Sequence, residues 1–261
     1  MELTRKTILI TGASSGLGRA LAVELSKRDN ALVVTARREP LLRELEREVL
    51  ANGSRCLVGA ADATDTEASR GVVQEAVTRF GTLDVAIINA GGSSAQRMGT
   101  ISAEEVLATM RTNFDTLVNF LCPLIDHMRE RGGTIAYTGS PAGTFGLPKS
   151  GPYSAAKAAG RVLLDSCRIE LAHTPIRFVA LYPGFTYTEG LDTDEVPVKS
   201  LIIEKERAVR EMLWAIERGR AHHMFPRRIR WPIALGRVVG EPVRRAILGL
   251  VDRPARGASR R

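Results

Sequence analysis

Tyr153 and Lys157 stand four residues apart in the run Tyr153-Ser154-Ala155-Ala156-Lys157. On a helix that spacing puts both side chains on one face, one turn above the other. A free phenol has a pKa of about 10, which makes it a poor proton shuttle near neutrality. Lowering it to about 7 takes roughly 4 kcal/mol of preference for the phenolate. An ammonium about 4 Å away, at an effective dielectric near about 20, supplies an attraction of that order. Tyr153 is therefore expected to act as a general acid/base, with Lys157 lowering its pKa. The pair alone is equally consistent with two ordinary neighbours on a helix surface, so the surrounding elements must decide.

The chain that carries them has 261 residues, 44% apolar and 25% charged. That suits one globular α/β domain with a sizeable core. Cys56, Cys122 and Cys167 are scattered, without CxxC or histidine-ligand spacing. This argues against a disulfide framework and for a reducing, cytoplasmic setting. A strand pattern begins by Lys6, which leaves no room for a targeting peptide, and no run of about 18 apolar residues could span a bilayer. The net charge of +8 is concentrated at one end: residues 218–261 hold twelve arginines against Glu241 and Asp252. The rest is near neutral, so nucleic-acid binding is not expected of the body.

Residues 6–11 read as a short buried strand running into Gly12-Ala13-Ser14-Ser15-Gly16-Leu17-Gly18 and then a helix through Leu21, Leu25 and Arg28. Strand, glycine turn, helix is the context in which backbone amides hold a phosphate at a helix N-terminus. The spacing is GxxxGxG, not the GxGxxG of the common dinucleotide fingerprint. A second strand over residues 31–35 ends in Ala36-Arg37-Arg38. An acidic residue there would suit the ribose hydroxyl of NAD, whereas arginine suits the 2′-phosphate of NADP. Arg37 is the first choice for that contact, ahead of Arg38; the other reading has both simply starting the next helix. Further strands are expected over residues 55–60, ending at Asp62, over 84–88, running into Asn89-Ala90-Gly91, and over 133–138, with Ser140 just past the end. Two more follow at 176–181, before Tyr182-Pro183-Gly184, and around His222-Met224-Phe225. Helices are expected over 66–80, 103–112, 114–130 (Asn113 at their junction), from the Tyr153 region to His173, and over 201–218. This alternation predicts a doubly wound parallel sheet.

Together these pieces resemble the short-chain dehydrogenase/reductase family over roughly residues 5–225. The resemblance rests on Thr11-Gly-Ala-Ser-Ser-Gly-Leu-Gly18, Asp62, Asn89-Ala-Gly91, Asn113, Ser140, Tyr153-x-x-x-Lys157 and Pro183-Gly184. Ser140 stands thirteen residues before Tyr153, the family's usual separation. The resemblance implies a Rossmann-like three-layer α/β/α catalytic domain over residues 1–225, a small carbonyl or alcohol substrate, and a homodimer or homotetramer; with Arg37 after the second strand, the expected cofactor is NADP in preference to NAD. It implies that Tyr153 exchanges a proton with the substrate oxygen while Ser140 holds that oxygen. Lys157 would bind the nicotinamide ribose as well as tuning the phenol, and Asn113 would complete a proton relay through a water. Cofactor contacts are implied at Gly12, Ser14, Ser15, Gly16, Leu17, Gly18, Arg37, Asp62, Asn89, Ala90, Gly91, Tyr153, Lys157, Pro183, Gly184 and Thr188. Thr138-Gly139-Ser140 departs from the common double serine, and Thr186 stands where an aliphatic residue is frequent.

The rival to an enzyme is a silent dinucleotide-binding or scaffold protein on the same fold. Phe145, Leu147, Phe185, Leu191 and Met212 point to an apolar substrate or else belong to the core, with a lid expected from Phe185 to Pro197. His222-His223 reads as a strand end and not a metal site, since no third ligand lies nearby in the sequence. Residues 226–261 form a basic amphipathic tail, expected as two short helices from Arg230 to Val251 with Pro232 and Pro242 in their first turns. Two readings of it stand: attachment to an anionic membrane surface, or an apolar side folded back over the pocket or a neighbouring subunit. The arginines from Arg253 onward are expected to be disordered.

Overall fold

Runs of aliphatic and β-branched residues, apolar on both faces, form seven strands: β1 (Thr7–Thr11), β2 (Ala31–Ala36), β3 (Arg55–Ala60), β4 (Val85–Ile88), β5 (Gly133–Thr138), β6 (Ile176–Pro183) and β7 (His222–Phe225). The computed structural model describes residues 1–92, 95–189, 191 and 199–251, with backbone alone for Ile247, Leu250 and Val251. All described pairings are parallel, in the order β3-β2-β1-β4-β5-β6-β7. The order reverses between β1 and β4, which opens a crevice beyond the carboxyl ends of those strands. Alternate residues of β1 serve opposite layers. Ile8 and Ile10 pack with Leu21, Leu25, Leu42, Leu45 and Met212, and Leu9 packs with Val72, Leu117, Phe120 and Leu164.

The helices covering the two faces are α1 (Gly16–Ser26), α2 (Glu39–Ala51), α3 (Thr66–Phe80), α4 (Ala103–Met110), α5 (Thr116–Met128), α6 (Gly151–Glu170) and α7 (Lys205–Glu217). Their ends carry local signals. Asp65 caps α3 by accepting from the Ala68 amide at 3.0 Å, and Ser102 and Glu105 make a reciprocal capping box on α4. The expected junction at Asn113 is one turn of π-helix, Arg111–Asp115, joining α4 to α5. The expected helix to His173 ends at Glu170, where Thr174 donates its hydroxyl to the Leu171 carbonyl at 2.7 Å and Pro175 follows. The helix expected from Leu201 starts at Lys205, because Ile203 is first drawn into a bridge with Thr186.

The tail forms the two expected short helices, α8 (Arg230–Val238) and α9 (Glu241–Val251). Most of the expected lid (Gly190 and residues 192–198) and the arginines from Arg253 onward lie outside the described residues. Cys56, Cys122 and Cys167 are free thiols. Among the described residues no helix is long and apolar enough to cross a membrane.

Candidate active site

The carboxyl ends of β1, β4 and β5, with the start of α6, bring the sequence-predicted residues to one edge of the sheet. β1 delivers Thr11 and the glycine loop. The Thr11 hydroxyl accepts from the amides of Asn89 and Ala90, both at 2.9 Å, and so ties the loop to the end of β4. A Cβ on Gly18 would lie 2.2 Å from the Gly12 carbonyl oxygen, so only glycine lets α1 start this close to the turn. Ser15 precedes α1 without capping it, and the first turn holds no acidic residue. The amide of Gly16 instead donates to the Glu189 carboxylate at 2.9 Å, across 173 positions of sequence. Lys205 also pairs with Glu189 at 2.8 Å. The Lys205 hydrogen bond, then local backbone bonds, hold that carboxyl down at about 2. An anion thus occupies the helix N-terminus where a pyrophosphate oxygen would sit, and the two cannot share one N–H. Nothing in the sequence marked Glu189.

The two arginines after β2 diverge. Arg38 donates to the Ser14 hydroxyl at 2.9 and 3.2 Å and to the Ser15 hydroxyl at 2.6 Å, lying against the glycine loop. Arg37, the first choice from sequence, turns to the other side and approaches Asp62 at 3.9 Å. Asp62 accepts from the Thr64 amide and hydroxyl, each at 2.9 Å. Chiefly that amide bond holds its carboxyl below the ordinary range. Thr188 lies 3.7 Å from where a Cβ on Gly16 would be, and Gly184, past the end of β6, donates its amide to the Phe225 carbonyl at 2.8 Å.

At the other end of the site, the Ser140 hydroxyl accepts from the Ala142 amide at 3.1 Å, starting a 3-10 turn, and lies beside the Tyr153 phenol, whose pKa it lowers. Lys157 is buried at 3% exposure and donates to the Thr138 carbonyl at 3.0 Å. Its ammonium sits 5.1 Å from the centroid of the Tyr137 ring and 5.7 Å from that of Tyr153. Asn113, aimed inward by the π turn, donates to the Gly92 and Thr109 carbonyls at 2.9 and 3.0 Å and accepts from the Gly92 amide at 3.1 Å. Gly91, at φ 151°, is what admits this arrangement. A Cβ there would lie 2.7 Å from Asn113 Oδ1 and 3.3 Å from Lys157 Nζ.

One expectation is corrected. Lys157 was expected to lower the phenol of Tyr153, but desolvation raises it, and the nearby Ser140 only partly offsets this. The reason is that the ammonium is itself dehydrated, its pKa pushed down to about 8, and bonded to a backbone carbonyl. Met212, read as a pocket or a core residue, is fully buried in the core. Phe145 and Leu147 are half-buried, Phe145 against Gly236 and Arg244, and Phe185 is exposed. His222 and His223 take different partners: His222 approaches the Tyr182 hydroxyl at 3.0 Å, and His223 pairs with Glu211 at 2.8 Å.

The chain is similar to known oxidoreductases in sequence and in fold. A family model described as short chain dehydrogenase matches residues 6–195. An uncharacterised oxidoreductase of Myxococcus xanthus is 32% identical over 243 residues, covering 93% of this chain and 96% of its own. A short-chain type dehydrogenase/reductase from Mycobacterium marinum superposes with a TM-score of 0.78 at 25% identity, over 85% of this chain and 94% of that one. The fold is also that of an alcohol dehydrogenase from Thermococcus sibiricus solved with 5-hydroxy-NADP (TM-score 0.76, 24% identity, 84% of this chain and 95% of the other).

Proposed function

The chain belongs to the short-chain dehydrogenase/reductase family of oxidoreductases, and from that premise we propose that it moves a hydride between NADP(H) and a carbonyl or secondary alcohol of apolar character. The observation that supports this most is the placing of Ser140 beside the Tyr153 phenol, next to a buried Lys157 whose ammonium lies 5.7 Å from the centroid of the Tyr153 ring. A silent binder on the same fold needs the glycine loop and the lysine that would meet the nicotinamide ribose, but gains nothing from a serine set beside the phenol.

When bound, the dinucleotide supplies or takes the hydride at the nicotinamide ring. Gly12 to Gly18 would hold its pyrophosphate, which would take the Gly16 amide in place of the Glu189 carboxylate; Asp62 and Asn89 to Gly91 would hold the adenosine, and Lys157 with Pro183, Gly184 and Thr188 the nicotinamide half. Ser140 would hold the substrate oxygen against the Tyr153 hydroxyl, and Tyr153 would pass its proton to that oxygen during reduction or take one during oxidation. Its raised pKa keeps the phenol protonated at neutral pH, the form that reduction requires. Asn113, beside Lys157 at the Gly91 backbone, would connect the site to solvent. Screening apolar ketones and aldehydes for NADPH oxidation tests the reading; a purified protein that turns over none of them would count against it.

For the cofactor, Arg38 has the better position, because its guanidinium already sits on the loop hydroxyls. A charge-assisted hydrogen bond contributes roughly 1.5–3 kcal/mol, about 10- to 150-fold in affinity. Arg38→Ala is expected to weaken NADPH by that factor and leave NADH nearly unchanged, with a smaller loss for Arg37→Ala. Equal binding of NADH and NADPH by the wild type would overturn the preference.

The same reading makes the protein a homodimer or homotetramer, in a cytoplasmic setting that suits its free thiols. The outer face of α6 exposes Val162 and Ile169, seven residues apart and so on one side. Light scattering should report a multiple of 28.4 kDa, reduced by Val162→Glu with Ile169→Glu; a wild-type monomer at micromolar concentrations would refute the assembly.

A further inference from the structure

α8 is oriented against the usual rule for a surface helix. Trp231, Leu235 and Val238, at spacings of four and three, form one stripe, and their exposures are 82%, 57% and 80%. Val243 at the start of α9 is exposed as well. A helix on a water-facing surface normally turns such a stripe inward. The inner side of α8 instead carries Gly236, where a Cβ would come within 2.6 Å of the Phe145 ring. Arg244 lies over that same ring at 5.6 Å and donates to the Gly236 carbonyl at 3.0 Å. Arg230 donates to the Met224 carbonyl at 2.7 Å. The tail is therefore folded back on the body, and its apolar stripe is left outside.

Positive charge surrounds the stripe. Residues 227–251 contain six arginines and one glutamate. Arg230 and Arg237 fall on one flank of the stripe, and Arg227 and Arg228 come just before the helix. Arg227, Arg228, Arg237 and Arg245 are exposed and have no ion pair among the described residues, and Arg237 lies close enough to Tyr182 and His222 to act on their titration. We propose that α8 and the start of α9 form a docking face for an anionic lipid bilayer, with Trp231, Leu235 and Val238 entering the interface and the flanking arginines meeting acidic headgroups. The composition suits that occupant: tryptophan and leucine on one side with arginine at the edge is the pattern of interfacial helices, and tryptophan favours the headgroup level. A second copy of the chain suits it less, because symmetric pairing would bring two sets of arginines together. Phe145, under α8, follows Ser140 by five residues, so docking would set the catalytic edge beside the lipid surface.

Co-sedimentation of the full chain with vesicles tests this independently of the reaction. Wild type is expected to bind phosphatidylcholine–phosphatidylserine vesicles at low salt, and to bind pure phosphatidylcholine weakly. The triple substitution Arg227→Gln, Arg228→Gln, Arg237→Gln should weaken binding about 100-fold. Trp231→Ser, Leu235→Ser, Val238→Ser should weaken it by at least about tenfold. Both variants should keep the wild-type circular dichroism spectrum, since these side chains face outward. Absence of wild-type binding, or equal binding to both vesicle types, would overturn the proposal. So would loss of an oligomer in the serine variant, by light scattering, together with wild-type indifference to vesicles, since that outcome assigns the face to a second copy.

Discussion

Tyr153→Phe is expected to lower kcat by about 10²–10⁴-fold, the range for loss of a positioned proton donor, while NADPH affinity stays close to wild type. The substitution removes one oxygen and leaves the ring, which keeps the face presented to Lys157. Ser140 loses the hydroxyl beside it but still accepts from the Ala142 amide. The two measurements separate the roles: cofactor fluorescence titration reads binding, and single-turnover NADPH oxidation with an active carbonyl reads chemistry. Turnover at the wild-type rate in the purified variant would remove Tyr153 from the mechanism.

The second large effect belongs to Lys157 and is visible without substrate. Burial pushes its pKa from 10.5 down to about 8. Between those values the unfolded chain holds one proton more than the folded chain, so the contribution of this position to stability rises with pH across that window. Below about pH 8 the cost of the buried charge is fully present, on the order of 3 kcal/mol at 1.36 kcal/mol per pKa unit. Lys157→Met removes that cost together with the hydrogen bond to the Thr138 carbonyl, a loss of roughly 1.5–3 kcal/mol. The variant should therefore match or slightly exceed wild type in stability near about pH 7. Wild type should then gain on it by up to about 3 kcal/mol on going toward about pH 10. Urea unfolding of both proteins at the two pH values gives the comparison, and a difference that does not change with pH would contradict the burial argument. The same variant is expected to lose turnover and to weaken dinucleotide binding, because one ammonium serves both.

Much of the fold was legible along the chain because its causes are local. A buried parallel strand needs only a few consecutive β-branched and aliphatic residues, and all seven expected strands formed. The glycine loop was legible because Gly12, Gly16 and Gly18 follow a strand and open a helix. Tyr153 and Lys157 were legible as a pair because four residues on a helix is one turn, whatever lies around it.

What surrounds a side chain, by contrast, is a sum over segments distant in the chain, and only tertiary structure decided it. Arg37 and Arg38 are neighbours that point to opposite sides where β2 ends; which one met Ser14 and Ser15 depended on where β1 placed the loop. Glu189 reached Gly16 from far along the chain, and no spacing rule connects such positions. The junction at Asn113 looked like a helix boundary, yet the chain continued through a π turn that aims the amide at Gly92. For Tyr153 the sequence showed an ammonium one turn away, which by itself lowers a phenol. Packing then dehydrated both groups and gave Lys157 the Thr138 carbonyl as partner, so burial outweighed the charge. The arginines and apolar residues of the tail were plain from composition, but the outward direction of its stripe goes with contacts on its other side, Gly236 and Arg244 on Phe145 and Arg230 on the Met224 carbonyl. Local periodicity selects the elements, whereas orientation, solvation and the sign of a pKa shift arise where elements meet.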